Sequence, residues 1–115
     1  VKIAVILRKP PYGDINAAEA VRHAMGAQSD DIPVSLILLD GGVLLAKKGH
    51  DMALTGFTNL GDALKDCIDM GIGVYADKAS LKECSLETAE MIEGVKAVNG
   101  SEIAELVKES KTMVF

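Results

Sequence analysis

The chain has no tryptophan, two tyrosines, two phenylalanines and two cysteines. Two cysteines are too few for a disulfide framework, and no second Cys or His stands at metal-clamp spacing from either, so no metal site is expected. Basic residues are scarce as well, 12 Lys plus Arg against 17 Asp plus Glu for a formal net charge of −5. Such a balance supplies no basic stripe to neutralise phosphates, and direct binding to nucleic acid is not expected. Apolar runs such as Leu36–Leu39 and Val43–Ala46 fall far short of the roughly 20 residues of a spanning helix, so no membrane segment is expected. The opening stretch Val1–Arg8 is too short for a signal h-region and no small-residue cleavage site follows it, which leaves the cytoplasm as the expected location. No G-x-G-x-x-G or Walker pattern opens the first helix, and a nucleotide-phosphate cradle would lack its glycines. Lys9-Pro10-Pro11 stands where a response-regulator metal site would need acidic residues after the first strand. No cofactor is expected.

What is present is an aliphatic core on a small scale. With 115 residues, 49% hydrophobic and 25% charged, residues 1–115 form one domain that can bury roughly two-thirds of its unfolded surface. Two domains of ordinary size would need about twice the length. Residues 3–7, Ile-Ala-Val-Ile-Leu, read as a parallel strand buried on both faces, ended by Pro10-Pro11-Tyr12-Gly13. Asn16 with Glu19 reads as a capping box, and Ala17, Val21, Ala24 and Met25 recur at helical spacing until Gly26. Residues 33–39 repeat the buried-strand signature and stop at Asp40-Gly41-Gly42, a turn whose glycines tolerate positive φ. A short helical turn is expected over 43–48. Leu60, Ala63, Leu64, Cys67 and Ile68 mark one face of a helix closed by Gly71 and Gly73. A strand follows at 73–76, then a short helix at 78–83, a segment over 86–92 that Ser85 starts, and a strand at 95–98 broken by Asn99-Gly100. Ser101 reads as the N-cap of a helix to Lys108, and residues 112–115 as a last strand. This alternation predicts an α/β fold: a single domain with an open, mainly parallel five-stranded sheet, helices on both faces, and a flavodoxin-like strand order. Ligands collect at the carboxyl ends of such strands, which places Arg8–Asp14, Asp40–Val43 and Asp77–Ser80 on one functional rim.

Each polar residue of interest carries two readings. Pro10–Asp14 is either a rigid ligand-facing loop, with Tyr12 presenting a hydroxyl on an apolar body, or a stiff turn. Asp77 stands where a strand passes into a helix, a place for an anion or for chemistry, or else simply the N-cap of helix 78–83. Asp40 beside Gly41 is a turn-former or half of a carboxylate pair across the rim. Tyr12, Asp40 and Asp77 are therefore the ligand-binding candidates. Cys67 fits the apolar face of its helix and reads as a buried hydrophobe. Cys84 falls in a polar stretch after Lys82 and is the candidate reactive thiol, although the end of a short helix disfavours a thiolate. His50 reads as a solvated loop histidine and His23 as riding the polar border of the first helix. Met52, Leu54 and Phe57 fit a core or a subunit interface equally well.

Four blocks in order, PPYG with Asn16 after it, VSLILLDGGVLLAKKG at 34–49, VYADKASLKECSLE at 74–87 and the terminal TMVF, resemble the DsrE/DsrF-like family over nearly the whole chain. Within it the chain looks most like the DsrF or TusC type of subunit, through the turn at Asp40-Gly41 and the segment Ala79-Ser80-Leu81, Glu83 and Leu86. The resemblance implies a cytoplasmic α/β subunit of a sulfur relay, in which persulfide sulfur passes between proteins toward tRNA thiolation or sulfur oxidation. It also implies a trimer or hexamer, homo- or hetero-oligomeric, with related DsrE-like subunits or other sulfur-relay proteins as partners. Active members of the family carry a cysteine just after the third strand, where a helix N-terminus lowers its pKa. Asp77 occupies that position here, and a carboxylate cannot carry sulfane sulfur. The departure favours an accessory, non-catalytic subunit. The alternatives are a homo-oligomeric sulfur carrier using Cys84, seven residues beyond, and a small-molecule binding module at the strand ends.

Overall fold

Ala4, Val5 and Leu7 are fully buried and Ile3 and Ile6 partly so in β1 (Lys2–Leu7), which lies between two parallel neighbours, β2 (Val34–Leu38) and β5 (Ser110–Val114). The computed structural model describes residues 2–11, 15–49 and 60–115. Beyond β2 come β3 (Gly73–Asp77) and then β4 (Lys96–Val98), both parallel, which completes a five-stranded sheet of order β4-β3-β2-β1-β5. The α/β class, the five strands and their parallel pairing are those expected from the sequence. The order is not the flavodoxin-like one. In that arrangement the chain reverses direction after β2, whereas here β1 to β4 step one way across the sheet and only the last connection turns back.

The steps settle the layers. Right-handed crossovers taken in one direction stack their helices on one face, where α1 (Asn16–Ser29) and α2 (Leu60–Asp69) lie side by side. Ala17, Ala20, Val21 and Ala24 of α1 and Leu60, Leu64 and Cys67 of α2 close over Val5, Leu7, Leu36, Leu38, Val74 and Ala76 in one core. The small α1 residues let that helix approach the sheet closely, which is how a chain poor in aromatics fills its interior. A short helix, α3 (Lys78–Glu83), follows β3, and a 3₁₀ segment at Thr88–Glu90 leads to β4. The return crossover from β4 to β5 carries α4 (Gly100–Lys108) to the opposite face, the one presenting Ser35 and Tyr75. None of its residues is fully buried.

Local signals depart from the expectations in three instructive places. α1 runs through Gly26 to Ser29, because nothing there needs a turn. Its N-cap is Ile15, and the Glu19 carboxylate is drawn to Arg22 at 2.6 Å, with the guanidinium holding that acid below its ordinary pKa. At the other end, Asn99 and not Ser101 caps α4, its side chain accepting from Glu102 N–H while Glu102 reaches back to the Asn99 amide. Finally, a 3₁₀ segment occupies Asp40–Ala46 rather than 43–48, and the positive φ belongs to Asp40 (50°), not to either glycine after it. Gly41 and Gly42 are required by space: a Cβ on Gly41 would meet the Pro10 ring at 2.9 Å, and one on Gly42 would run into the Leu7 carbonyl.

Two glycines thus predict opposite outcomes in urea denaturation. Gly26→Ala, exposed in mid-helix with open space around it, is expected to stabilise the fold by about 0.5–1 kcal/mol. Gly42→Ala, which forces backbone apart, is expected to cost about 3 kcal/mol. Equal midpoints for the two variants would contradict this reading of the Asp40 turn.

Candidate functional site

The carboxyl ends of β1, β2 and β3 bring together Arg8, Asp40, Asp77 and Ser80. Leu39 N–H donates to the Leu7 carbonyl (2.9 Å) and Gly42 N–H to the Leu39 carbonyl (2.8 Å), so the chain folds tightly over the end of β1. That turn leaves Asp40 in the left-handed region, a conformation a short polar side chain tolerates better than most. Two contacts hold it there. Its Oδ2 accepts from Arg8 Nε at 2.9 Å, and its backbone N–H donates to Ser80 Oγ at 2.8 Å. The ion pair is exposed on both sides, 61% and 53%, and contributes under about 1 kcal/mol. The Ser80 contact weighs more, because Ser80 is only 4% exposed and a lost partner there goes unreplaced by bulk water.

Asp77 is the N-cap of α3. Its Oδ2 accepts from Ser80 N–H at 3.1 Å and from Ser80 Oγ–H at 2.6 Å. A continuous chain of donors and acceptors therefore runs from the Asp40 amide through the Ser80 hydroxyl to the Asp77 carboxylate. Of the two readings of Asp77, the capping role is the one its geometry displays, and the carboxylate is already engaged by its own helix. The Asp40 carboxylate is engaged by Arg8 and the Asp77 carboxylate by Ser80. Ser80 and Arg8 lie within the expected rim, Ser80 named there only for the family resemblance and neither as a ligand-binding candidate. The Asp-x-x-Ser spacing is the signal for Ser80, a hydroxyl at the third helical position within reach of a capping carboxylate.

Cys84 is the C-cap of α3, half-buried, with Sγ 3.9 Å from the Asp40 carbonyl oxygen, the outer reach of a weak thiol hydrogen bond. It borders the same rim as Asp40 but lies at the helix end opposite to Asp77. Cys67 is fully buried in α2, and desolvation, reinforced by Asp66, pushes its thiol from 9.0 up to about 11. His23 sits on α1 beside Phe115, ring centroids 5.2 Å apart. Tyr12, Asp14, His50, Met52, Leu54 and Phe57 lie outside the described residues. No group of three or more His, Cys, Asp or Glu among the described residues is placed to hold a metal ion. No described helix is long and apolar enough to cross a membrane.

Asp77→Ala is expected to lower stability by about 2 kcal/mol through the loss of both a cap and the acceptor of a buried hydroxyl. Asp77→Asn keeps an acceptor oxygen and should lose less than half of that, which urea denaturation resolves. For the thiols, Ellman's reagent should titrate one per native chain and two in denaturant, with Cys84→Ser removing the native one. Because the buried Cys67 keeps its proton where an unfolded thiol loses it, its contribution to stability should fall as pH rises from about 9 toward about 11 and be absent in Cys67→Ala.

Comparison with known proteins gives the same extent as the fold. The sequence model of the DsrE/DsrF-like family matches residues 1–115. Uncharacterized protein MJ0989 of Methanocaldococcus jannaschii is 33% identical over 113 residues, covering 98% of this chain and 97% of that one. A similar protein of Methanopyrus kandleri, MK0008, is 32% identical over 113 residues, with 98% and 92% covered. The intracellular sulfur oxidation protein DsrF of Allochromatium vinosum is 26% identical over 124 residues, covering 95% of this chain and 91% of its own length. The crystal structure of the ychN protein from E. coli has the same fold, with a TM-score of 0.91 over 99% of this chain and 98% of that one at 20% identity. With the family match spanning every residue and two relatives above 30% identity, the chain belongs to the DsrE/DsrF-like family.

Proposed function

We propose that the chain is an accessory, non-catalytic subunit of a sulfur-relay system, which docks cysteine-bearing relatives and carries no sulfur at the end of its third strand. Family membership and the similarity to a protein named for intracellular sulfur oxidation support persulfide transfer as the setting. The observation that carries the reading is Asp77. At the place where sulfur-carrying family members are expected to hold a thiol, this chain has a carboxylate, and both of its contacts are spent on the first turn of its own helix. Such a residue holds the strand end in shape without offering a nucleophile. Apolar surface for subunit contacts is present in Ile15 (72% exposed) beside the rim and Val114 (60% exposed) on the edge strand β5. A trimeric or hexameric assembly with related subunits in the cytoplasm is part of the proposal.

A second reading is favoured by one observation, the half-buried Cys84 thiol at the Asp40 carbonyl. In it the Cys84 thiolate attacks the terminal sulfur of a donor persulfide. A new S–S bond forms at Cys84, the donor's S–S bond breaks, and the donor thiolate leaves.

The two readings separate in one experiment. The chain is co-expressed with a cysteine-bearing family relative from the same cell, and native mass is measured alongside intact mass after exposure to a persulfide donor. The accessory reading expects a stable hetero-oligomer and no added sulfur on this chain. A chain that never associates with the relative overturns it. A gain of one sulfur atom that disappears in Cys84→Ser and survives in Cys67→Ser establishes the carrier instead.

A further inference from the structure

On the face of the sheet opposite α1 and α2, α4 does not close down on the strands. Between them lies a cavity of about 500 Å³ at the edge where β1, β2 and β5 begin. That volume is within the range of small-molecule sites. Its walls are mainly apolar, formed by Pro33, Val98, Leu106 and the ring of Tyr75. The way Tyr75 sits is specific. The phenol lies back over β3, and a Cβ on Gly73 would fall 2.8 Å from its hydroxyl oxygen and 2.9 Å from a ring carbon. Gly73 has no left-handed backbone to explain it, so the absent side chain serves to seat the ring beside the cavity. Among the described residues the Tyr75 hydroxyl has no hydrogen-bond partner.

The charge lining this apolar hollow is mainly negative. Among the described residues Glu102, Glu105 and Glu109 line it from α4 and the residue just past its end, against one cation, Lys2. Glu102 is committed to the cap of α4 through the Asn99 amide. Glu105 and Glu109 form no ion pair or hydrogen bond among the described residues, and at i,i+4 spacing they repel each other. Complementarity in charge and in shape therefore selects the same occupant, a positively charged head on an apolar stem.

We propose that this cavity binds a small organic cation, an amine or guanidine on a short alkyl chain. The head lies between Glu105 and Glu109, the stem lies against Val98 and Leu106, and Tyr75 contributes ring surface and its unused hydroxyl. The proposal is independent of the sulfur-relay reading.

The test is a titration of the full chain with agmatine, followed by amide chemical shifts at about 0.15 M salt to screen diffuse attraction to an acidic protein. Butanol serves as the uncharged stem and a lysine-containing pentapeptide as the protein-borne cation. The expected result is saturable shifts at Tyr75, Val98 and residues 102–110 with agmatine and none with butanol. Affinity should fall about tenfold or more in the Glu105→Gln, Glu109→Gln double variant. Both glutamates are exposed, so that variant keeps its fold. A comparable loss in Gly73→Ala, which displaces the Tyr75 ring, is also expected. Shifts that do not saturate, that spread over the acidic surface or that survive the double variant would overturn the proposal. Saturation by the peptide without agmatine would overturn it in favour of a protein partner.

Discussion

The Ser80 hydroxyl joins the ends of β2 and β3, and the geometry of the rim depends on it. It accepts from the Asp40 amide, in the 3₁₀ segment just past β2, and donates to the Asp77 carboxylate at the end of β3. Because Ser80 is buried, neither contact can be exchanged for water at small cost. The bond fixes where α3 begins, and it holds Asp40 in its left-handed conformation, which in turn presents one side-chain oxygen to Arg8 and a carbonyl to Cys84. Weak surface contacts such as the Arg8 ion pair are arranged by this bridge and do not themselves hold it.

Much of the fold was legible because the strands are written as aliphatic runs. Ile3–Leu7 and Val34–Leu38 are buried on both faces, and a continuous apolar run is what such strands require. Strand order was less accessible. Alternation of strand and helix sets parallel pairing and handedness, but it does not mark the connection at which the chain turns back. That information sits in weaker features, such as the three-residue β4 and the largely exposed Ser110–Val114, which suit sheet edges.

The candidate site shows the same division between local and distant signals. Asp77 as a cap is a local matter of side chain and first turn, and both its readings were visible in sequence. The Asp40–Ser80 bond spans 40 residues and exists only because β2 and β3 are neighbours, so no local pattern carries it. The glycines at 41 and 42 misled for a related reason. A pair of glycines after an aspartate reads as backbone freedom, whereas here the glycines make room for the Pro10 ring and the Leu7 carbonyl while Asp40 takes the unusual conformation.

The two ends of the sheet differ in character, and the difference bears on what the chain does. At the carboxyl ends the polar groups satisfy one another, which suits a surface that keeps its shape against a partner. At the amino ends carboxylates and a phenol line an open hollow. The central claim is that the carboxylate at position 77 is bound within the fold and is not held in reserve for chemistry. A double-mutant cycle on Asp77→Ala and Ser80→Ala, read by urea denaturation, tests it most directly. The account predicts a coupling of about 1–3 kcal/mol between the two residues, and additive effects with no coupling would contradict it.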